Sequence, residues 1–493
     1  NQGMAMYYAF HIIESRASFD KATRFDPSCA MAWWGKALAF GPNINDFGYQ
    51  RPSEAYPSAA KAAGLKASCT PIEKALIDAI AIRYAADTTV DQKGLNEKYK
   101  EAMSGVYKRF GNNADVAALY ADAQMLLHPW DFYTHDYTPK PWTPHLLATL
   151  RQAMKLSPLH PGANHYFIHA VEASARPGDA LKSAKILATA MPSVSHITHM
   201  PSHIYIRTGY YNNGIGLNTQ AVDGYKKYAA AFAPATEGLF LYSLHNLHMK
   251  MACAQMAGNY REALSAAKEL QGEIPDAYLT MAGPLGHYLQ YLHQSPLFTY
   301  IRFGKWEEIL AEKETDTLEY SSVLQHFARG VAFAKTGRVA EAAEELARLQ
   351  AGLQNAALKE PMTPFNAAFD GGSIAQKVLE GILAEQQNNN ELAIQRFVEA
   401  SKAEDHLIYN EPRDWLLPTR HYLGNALLNA GRYREAADVL QQDLVVNPSN
   451  GWALTGLQMA FEKLSRPADI YAATQRLKNA WLIKDVEIRK PVF

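Results

Sequence analysis

AGRYREAA, residues 430–437, decides how the chain is read. It consists of a glycine, one residue, an aromatic, two residues and an alanine. The same phrase stands at AGNYREAL (257–264) and TGRVAEAA (336–343). Looser copies are TGYYNNGI (208–215), FGKWEEIL (303–310) and, with asparagine in place of glycine, NNNELAIQ (388–395). Each copy lies between two amphipathic stretches of helical period, so it reads as the turn of a helix hairpin. Glycine suits a turn that needs positive φ or close helix approach. The small residue five positions on lets the second helix pack closely on the first. Proline follows the second helix at FDPSCA (25–30), LSPLHP (156–161), AMPSVS (190–195), IPDAYL (274–279) and VNPSNG (446–451), where it can end one helix and occupy the first turn of the next.

These helix–turn–helix units resemble the tetratricopeptide repeat, a unit of about 34 residues. The match is strongest at 14–40, 158–226, 243–272, 323–350 and 418–460. The resemblance implies an all-α fold, a right-handed superhelical solenoid of antiparallel helix pairs with long Pro/aromatic loop insertions. The turn glycines 209, 258, 304, 337 and 431 are unevenly spaced, so insertions or degenerate copies must fill the longer gaps. The organisation expected is 1–127, N-terminal helical repeats; 128–157, a Pro/aromatic insertion and its following helix; 158–272, histidine-rich central repeats; and 273–493, C-terminal repeats. CAMAWWGKALAFGPNIN (29–45), HPGANHYFIHAVEAS (160–174), HMPSHIYIRTGYY (199–211) and the run from EPRDW (411–415) to residue 452 also resemble a bacterial group of tetratricopeptide proteins. That resemblance implies the fold and an exported, periplasmic setting, with the cytoplasm left open, and it supplies no mechanism.

Composition excludes several classes. The 493 residues are 48% hydrophobic and 20% charged with a net charge of −1, which leaves no basic footprint for nucleic acid. No apolar run reaches membrane-spanning length. Cys29, Cys69 and Cys253 are too few and too scattered for a disulfide scaffold or a cysteine zinc site. The chain begins NQGMAMYYAF, without an initiator methionine, so a removed leader or a trimmed terminus is expected. P-loop, GxGxxG, GxSxG and HExxH signatures are lacking.

The chemistry concentrates between His160 and Tyr211. His160, His165, His169, His196, His199 and His203 lie there, and His245 and His248 follow. His165 and His169 are four apart, as are His199 and His203, so each pair shares a helix face. Counted back from the turn glycine, or for His165 and His169 from Ala180, the two pairs fall at matching positions of neighbouring repeats. In the repeat family those positions face the concave groove, as would His245, His248 and His421. The expected metal ligands are His165, His169, His199, His203, His245 and His248, with the two pairs meeting at one ion. Imidazole donors beside a carboxylate suit zinc or copper better than calcium or magnesium. No organic cofactor is expected. Glu172 is about 10 Å along the axis from His165, too far to share its ion, and fits a hydrogen-bond acceptor for a ligand imidazole or a general base.

HPWDFYTHDYTPKPWTPH (128–145) reads as a packed loop or a lid, with Trp130, Asp131 and Tyr133 as ligand contacts. Tyr205 and Arg207 are further candidates. Three functions stay open: a groove that binds a metal and a small molecule or peptide, a metalloenzyme with Glu172 as catalytic acid or base, and a metal-free interaction scaffold whose histidines hydrogen-bond among themselves.

Overall fold

The computed structural model describes residues 1–46, 49–231, 236–315, 317–362 and 365–493, with no side-chain account of 236–239. Among these residues the chain is all-α, with no strand beyond two isolated bridges, Tyr133 to Pro139 and Pro361 to Ala367. No helix among them is long and apolar enough to cross a membrane. Contacts group the chain into a first unit, Asn1–Ile204, and a second, built on Tyr205–Ala230 and Thr236–Phe493. The boundary lies inside the stretch 158–272 read as one histidine-rich block.

In the second unit the turn phrase behaves as its chemistry demands. Gly209, Gly258, Gly304, Gly337 and Gly431 all have positive φ, and Asn388, the asparagine copy, has φ 57°. The residue two further on opens the following helix at Tyr211, Tyr260, Trp306, Val339, Asn390 and Tyr433. The small position is sealed, with Ala263, Ala342, Ala393 and Ala436 fully buried. The long gap between Gly337 and Gly431 holds a further pair, Ala368–Gln386 and Asn390–His406, turning at Asn388.

The faces expected to line a groove are filled in this unit. His421, at a groove position, is fully buried, its Nε2 2.9 Å from Asp443 and its Nδ1 accepting from Arg302 at 3.1 Å. Trp452, Phe303, Tyr211 and Ile488 share one apolar cluster, so the last helix pair packs back on the earlier ones. The reason is the size of the inward side chains. The Trp415 ring meets Phe298 and Phe327, with centroids 5.7 and 5.5 Å away.

Two turn glycines separate the cost of backbone strain from that of contact. A Cβ on Gly431 would meet nothing within 4 Å, whereas one on Gly304 would lie 2.9 Å from Phe493. Gly431→Ala should lower stability by about 1 kcal/mol from the left-handed backbone alone. Gly304→Ala should cost measurably more in urea unfolding. Equal losses would show that the tail contact at Phe493 contributes nothing.

In the first unit the helix Gln2–Tyr8 packs on the helix Pro161–Val171. Gly162 allows the approach, since a Cβ there would sit 2.4 Å from the Tyr8 ring. Phe10 replaces glycine in a turn before the helix Ile12–Phe25, with φ 57°, and Ser15 occupies the small position, fully buried and bonded to the Gly3 carbonyl at 2.8 Å. The loop 128–145 is tied down at several points. Trp130 Nε1 donates to the Ile44 carbonyl (2.9 Å), Trp142 Nε1 to Asp131 (2.7 Å), and the Tyr133 hydroxyl to Ala170 (2.9 Å).

Candidate metal centre

The helix Pro161–Val171 starts on His160, whose Nδ1 accepts from the Ala163 N–H at 3.1 Å, with Pro161 in the first turn. The other nitrogen of His160 lies 3.1 Å from Asp115. His160 is therefore a capping residue. Further along, His165 and His169 stand one turn apart on one face, with Glu172 at the C-terminus. The helix Ser195–His199 carries His196 and His199, and the helix Pro201–Thr208 carries His203. Those three lie at spacings of three and four, on one side of a helical path that Pro201 interrupts. All five histidines and Glu172 are at most 3% exposed.

The bonds fix which ring nitrogen carries each proton. His165 Nδ1 is 2.6 Å from the Tyr8 carbonyl, one of the last carbonyls of the helix Gln2–Tyr8, which its own helix leaves without a partner. A carbonyl only accepts, so Nδ1 carries the hydrogen and Nε2 presents a lone pair. His169 Nδ1 lies 3.2 Å from Glu172 Oε1 and His203 Nδ1 contacts Oε2. Both therefore give Nδ1–H to the carboxylate and turn Nε2 away as an acceptor. His165 Nε2 and His169 Nε2 then face each other at 3.1 Å, and His196 Nε2 approaches the same atom of His165, also at 3.1 Å. Two lone pairs so placed repel unless a cation or a second proton lies between them.

Burial opposes the second proton. It pushes the imidazolium forms of His165 and His196 well down and that of His169 down, and the neighbouring rings push His165 and His196 further in the same direction. Burial pushes the Glu172 carboxyl up, but the imidazoles of His203 and His169 on its two oxygens hold it below the usual carboxylate range. Its ion-pair partners are those two imidazoles. A neutral histidine pair leaves that buried negative charge uncompensated.

Two aromatic walls enclose the cluster. The Phe10 ring lies 4.5 Å from His165, 5.7 Å from His196 and 6.0 Å from His169. Trp130 meets His169 edge-on at 4.8 Å. Of the loop residues expected to touch a ligand, Trp130 thus abuts the cluster. Tyr133 is buried against the helix backbone, and Asp131 pairs with Lys140 at 3.1 Å.

The donor atoms form more than one cluster, and one of these takes a histidine from each pair. Donor atoms gather as His165, His169 and His196, and separately as His169, Glu172 and His203, each set within 4.8 Å. His199 and His203 face each other instead, Nε2 to Nε2 at 2.7 Å. Glu172 lies between His169 and His203 and bonds one with each oxygen. His196 was not among the expected ligands. Its position three before His199, on the same face, was the available signal.

The remaining candidates belong to the second unit. Tyr205 is buried with its ring 5.9 Å from Tyr210, and the Arg207 guanidinium stacks over Tyr409 at 4.7 Å. His245 and His248 lie on the helix Thr236–Met256. His248 is buried, its Nε2 3.4 Å from the Tyr291 hydroxyl.

Burial drives the His248 pKa down to about 3. The unfolded chain takes up a proton there below about pH 6.5, and the folded chain refuses it until near pH 3. The stabilisation is thus full above pH 6.5 and lost as pH falls towards 3, by at most about 1.4 kcal/mol per pH unit. His248→Gln should flatten this part of the acid limb. Urea unfolding at pH 7 and pH 5 on both chains measures it, and an equal pH dependence would refute the assignment.

No family profile and no curated protein sequence matches the chain. Among solved structures it is similar to a human IFIT1 dimer with m7Gppp-AAAA, at 14% identity over 98% of this chain and 90% of that one, with TM-score 0.32. It is also similar to an APC/C Cut9–Hcn1 hetero-tetramer, at 11% identity over 98% and 93%, with TM-score 0.32.

Proposed function

We propose that the first unit is a metal-binding module, holding one transition-metal ion on Nε2 of His165, His169 and His196. The observation that carries this is the convergence of lone pairs on atoms whose partners fix the protons elsewhere: Tyr8 O on His165 and Glu172 on His169. Nitrogens bound tetrahedrally at 2.0–2.1 Å lie roughly 3.3 Å apart. The observed 3.1 Å needs only a small outward turn of each ring.

Neutral imidazoles suit zinc or copper and disfavour magnesium and calcium. Glu172 orients and polarises the ligand His169 through its far nitrogen, a role that metal sites routinely give a carboxylate. Both its oxygens are engaged by imidazoles, which favours positioning over proton transfer. The Phe10 and Trp130 walls restrict water, so a bound ion would exchange slowly. The repeat scaffold supplies what such a centre requires, ligands on rigid helices locked by packing.

The test is elemental analysis of untagged protein purified without chelators, beside a His165→Ala/His169→Ala chain shown to be folded by circular dichroism. Zinc or copper in the parent and at least one ion fewer in the variant are expected. A metal-free parent that takes up neither ion on titration would overturn the reading.

A further inference from the structure

The arrangement around Glu172 occurs twice, and this inference rests on the metal reading above. In the sequence, HYFIH (165–169) and HMPSH (199–203) each place two histidines four apart. In the structure the second histidine of each pair gives Nδ1 to Glu172, His169 to one oxygen and His203 to the other. In each pair the second histidine then turns Nε2 onto Nε2 of the first, at 3.1 Å for His165/His169 and 2.7 Å for His199/His203. All of these residues are buried. The His169 and His203 rings stand nearly perpendicular with centroids 5.5 Å apart, one on either side of the carboxylate.

We propose that His199 and His203 hold a second transition-metal ion, so that Glu172 is the common outer carboxylate of a two-ion centre. One carboxylate locking one ligand of each pair explains why it is buried between them with both oxygens engaged. Histidines four apart supply two imidazole donors, here across the Pro201 break between two short helices, and the further coordination positions would go to non-protein ligands. The chemistry favours ions of the same class in both positions, since the donors are imidazole Nε2 in each.

The competing account of His199/His203 is a single proton. His199 Nδ1 lies 3.4 Å from the Ser202 hydroxyl, which could donate to it and leave Nε2–H to bridge to His203. Metal stoichiometry separates the two accounts. The parent chain is stripped with chelator, reloaded with zinc or with copper, desalted and counted by mass spectrometry, beside His199→Ala/His203→Ala and His165→Ala/His169→Ala. A His199→Gln chain, which keeps a hydrogen-bonding side chain, stands in if the first double variant does not fold. The proposal expects two ions in the parent and one in each double variant, with His199→Gln also falling to one. One ion in the parent, kept by His199→Ala/His203→Ala and lost from His165→Ala/His169→Ala, would overturn the second ion and leave the first centre standing. No ion in any chain would overturn both.

Discussion

Replacing Trp452 by alanine should destabilise the second unit by about 3–5 kcal/mol, the range for emptying a fully buried tryptophan site. Trp452 is completely enclosed in the helix Gly451–Lys463. Its ring meets Phe303, Trp481 and Phe493 with centroids 5.7–5.9 Å away, and the Arg302 guanidinium lies over it at 4.8 Å. Its Nε1 donates to the Gln255 carbonyl at 2.9 Å. Truncation therefore removes packing, a hydrogen bond and the ring that faces a buried cation in one step. The site cannot easily collapse, because it joins the last helix pair to earlier ones. Trp452→Phe should recover much of the packing but remove one of the two donors to the Gln255 carbonyl, which keeps the Gly258 N–H at 3.3 Å, a loss of about 0.5–1.5 kcal/mol. Urea unfolding followed by far-ultraviolet circular dichroism measures both. A loss below about 1 kcal/mol for the alanine chain would show that the last pair does not depend on this contact.

The hairpins were legible because each turn is a local problem. A left-handed residue, a helix start two positions on and a small residue five positions on are all set by neighbours in sequence, and the structure repeats them at Gly258, Gly337 and Gly431. Phe10 and Ser465, left-handed without being glycine or asparagine, escaped the pattern. Phe10 packs on the histidine rings, a tertiary contact, whereas Ser465 is exposed and its turn is held by local bonds, Ser465 N–H to Glu462 and Arg466 N–H to Phe461. The fate of the groove was not legible. Whether an inward face stays open depends on what comes back to cover it, and Trp452 returning to Phe303 across nearly 150 residues is not written in any local phrase.

The histidine centre divides the same way. The pairs 165/169 and 199/203 follow from helical spacing. The carboxylate acceptor follows too, since Glu172 is one turn beyond His169. Which pairs converge on which point does not, because it depends on helix rotation and on a main-chain acceptor, Tyr8, that stands 157 residues before its partner. Gly162 marks that contact in the sequence only in hindsight, as the position where the first helix must come close.

Glu172→Gln should weaken metal binding by about 10–100-fold for each ion the centre holds, the usual cost of removing an outer carboxylate. The substitution keeps shape and volume, so the helix and its packing should persist. The proton arrangement should not. A carboxylate accepts Nδ1–H from His169 and from His203 at once. A carboxamide has one accepting oxygen and one donating nitrogen, so one of the two imidazoles must meet an N–H. That ring can respond by shifting its proton to Nε2, which removes a ligand lone pair, or by turning away, which breaks the convergence. The variant also removes the buried negative charge that offsets part of the ion's own charge, and this acts on every bound ion alike. Competition with a chromophoric chelator reads the affinity directly. Glu172→Asp should fall between the parent and the glutamine chain, since it keeps the charge but cannot reach both rings from a shorter side chain. Unchanged affinity in Glu172→Gln, with stoichiometry intact, would mean that the carboxylate is a bystander and that the rings hold their orientation through Tyr8 and packing alone.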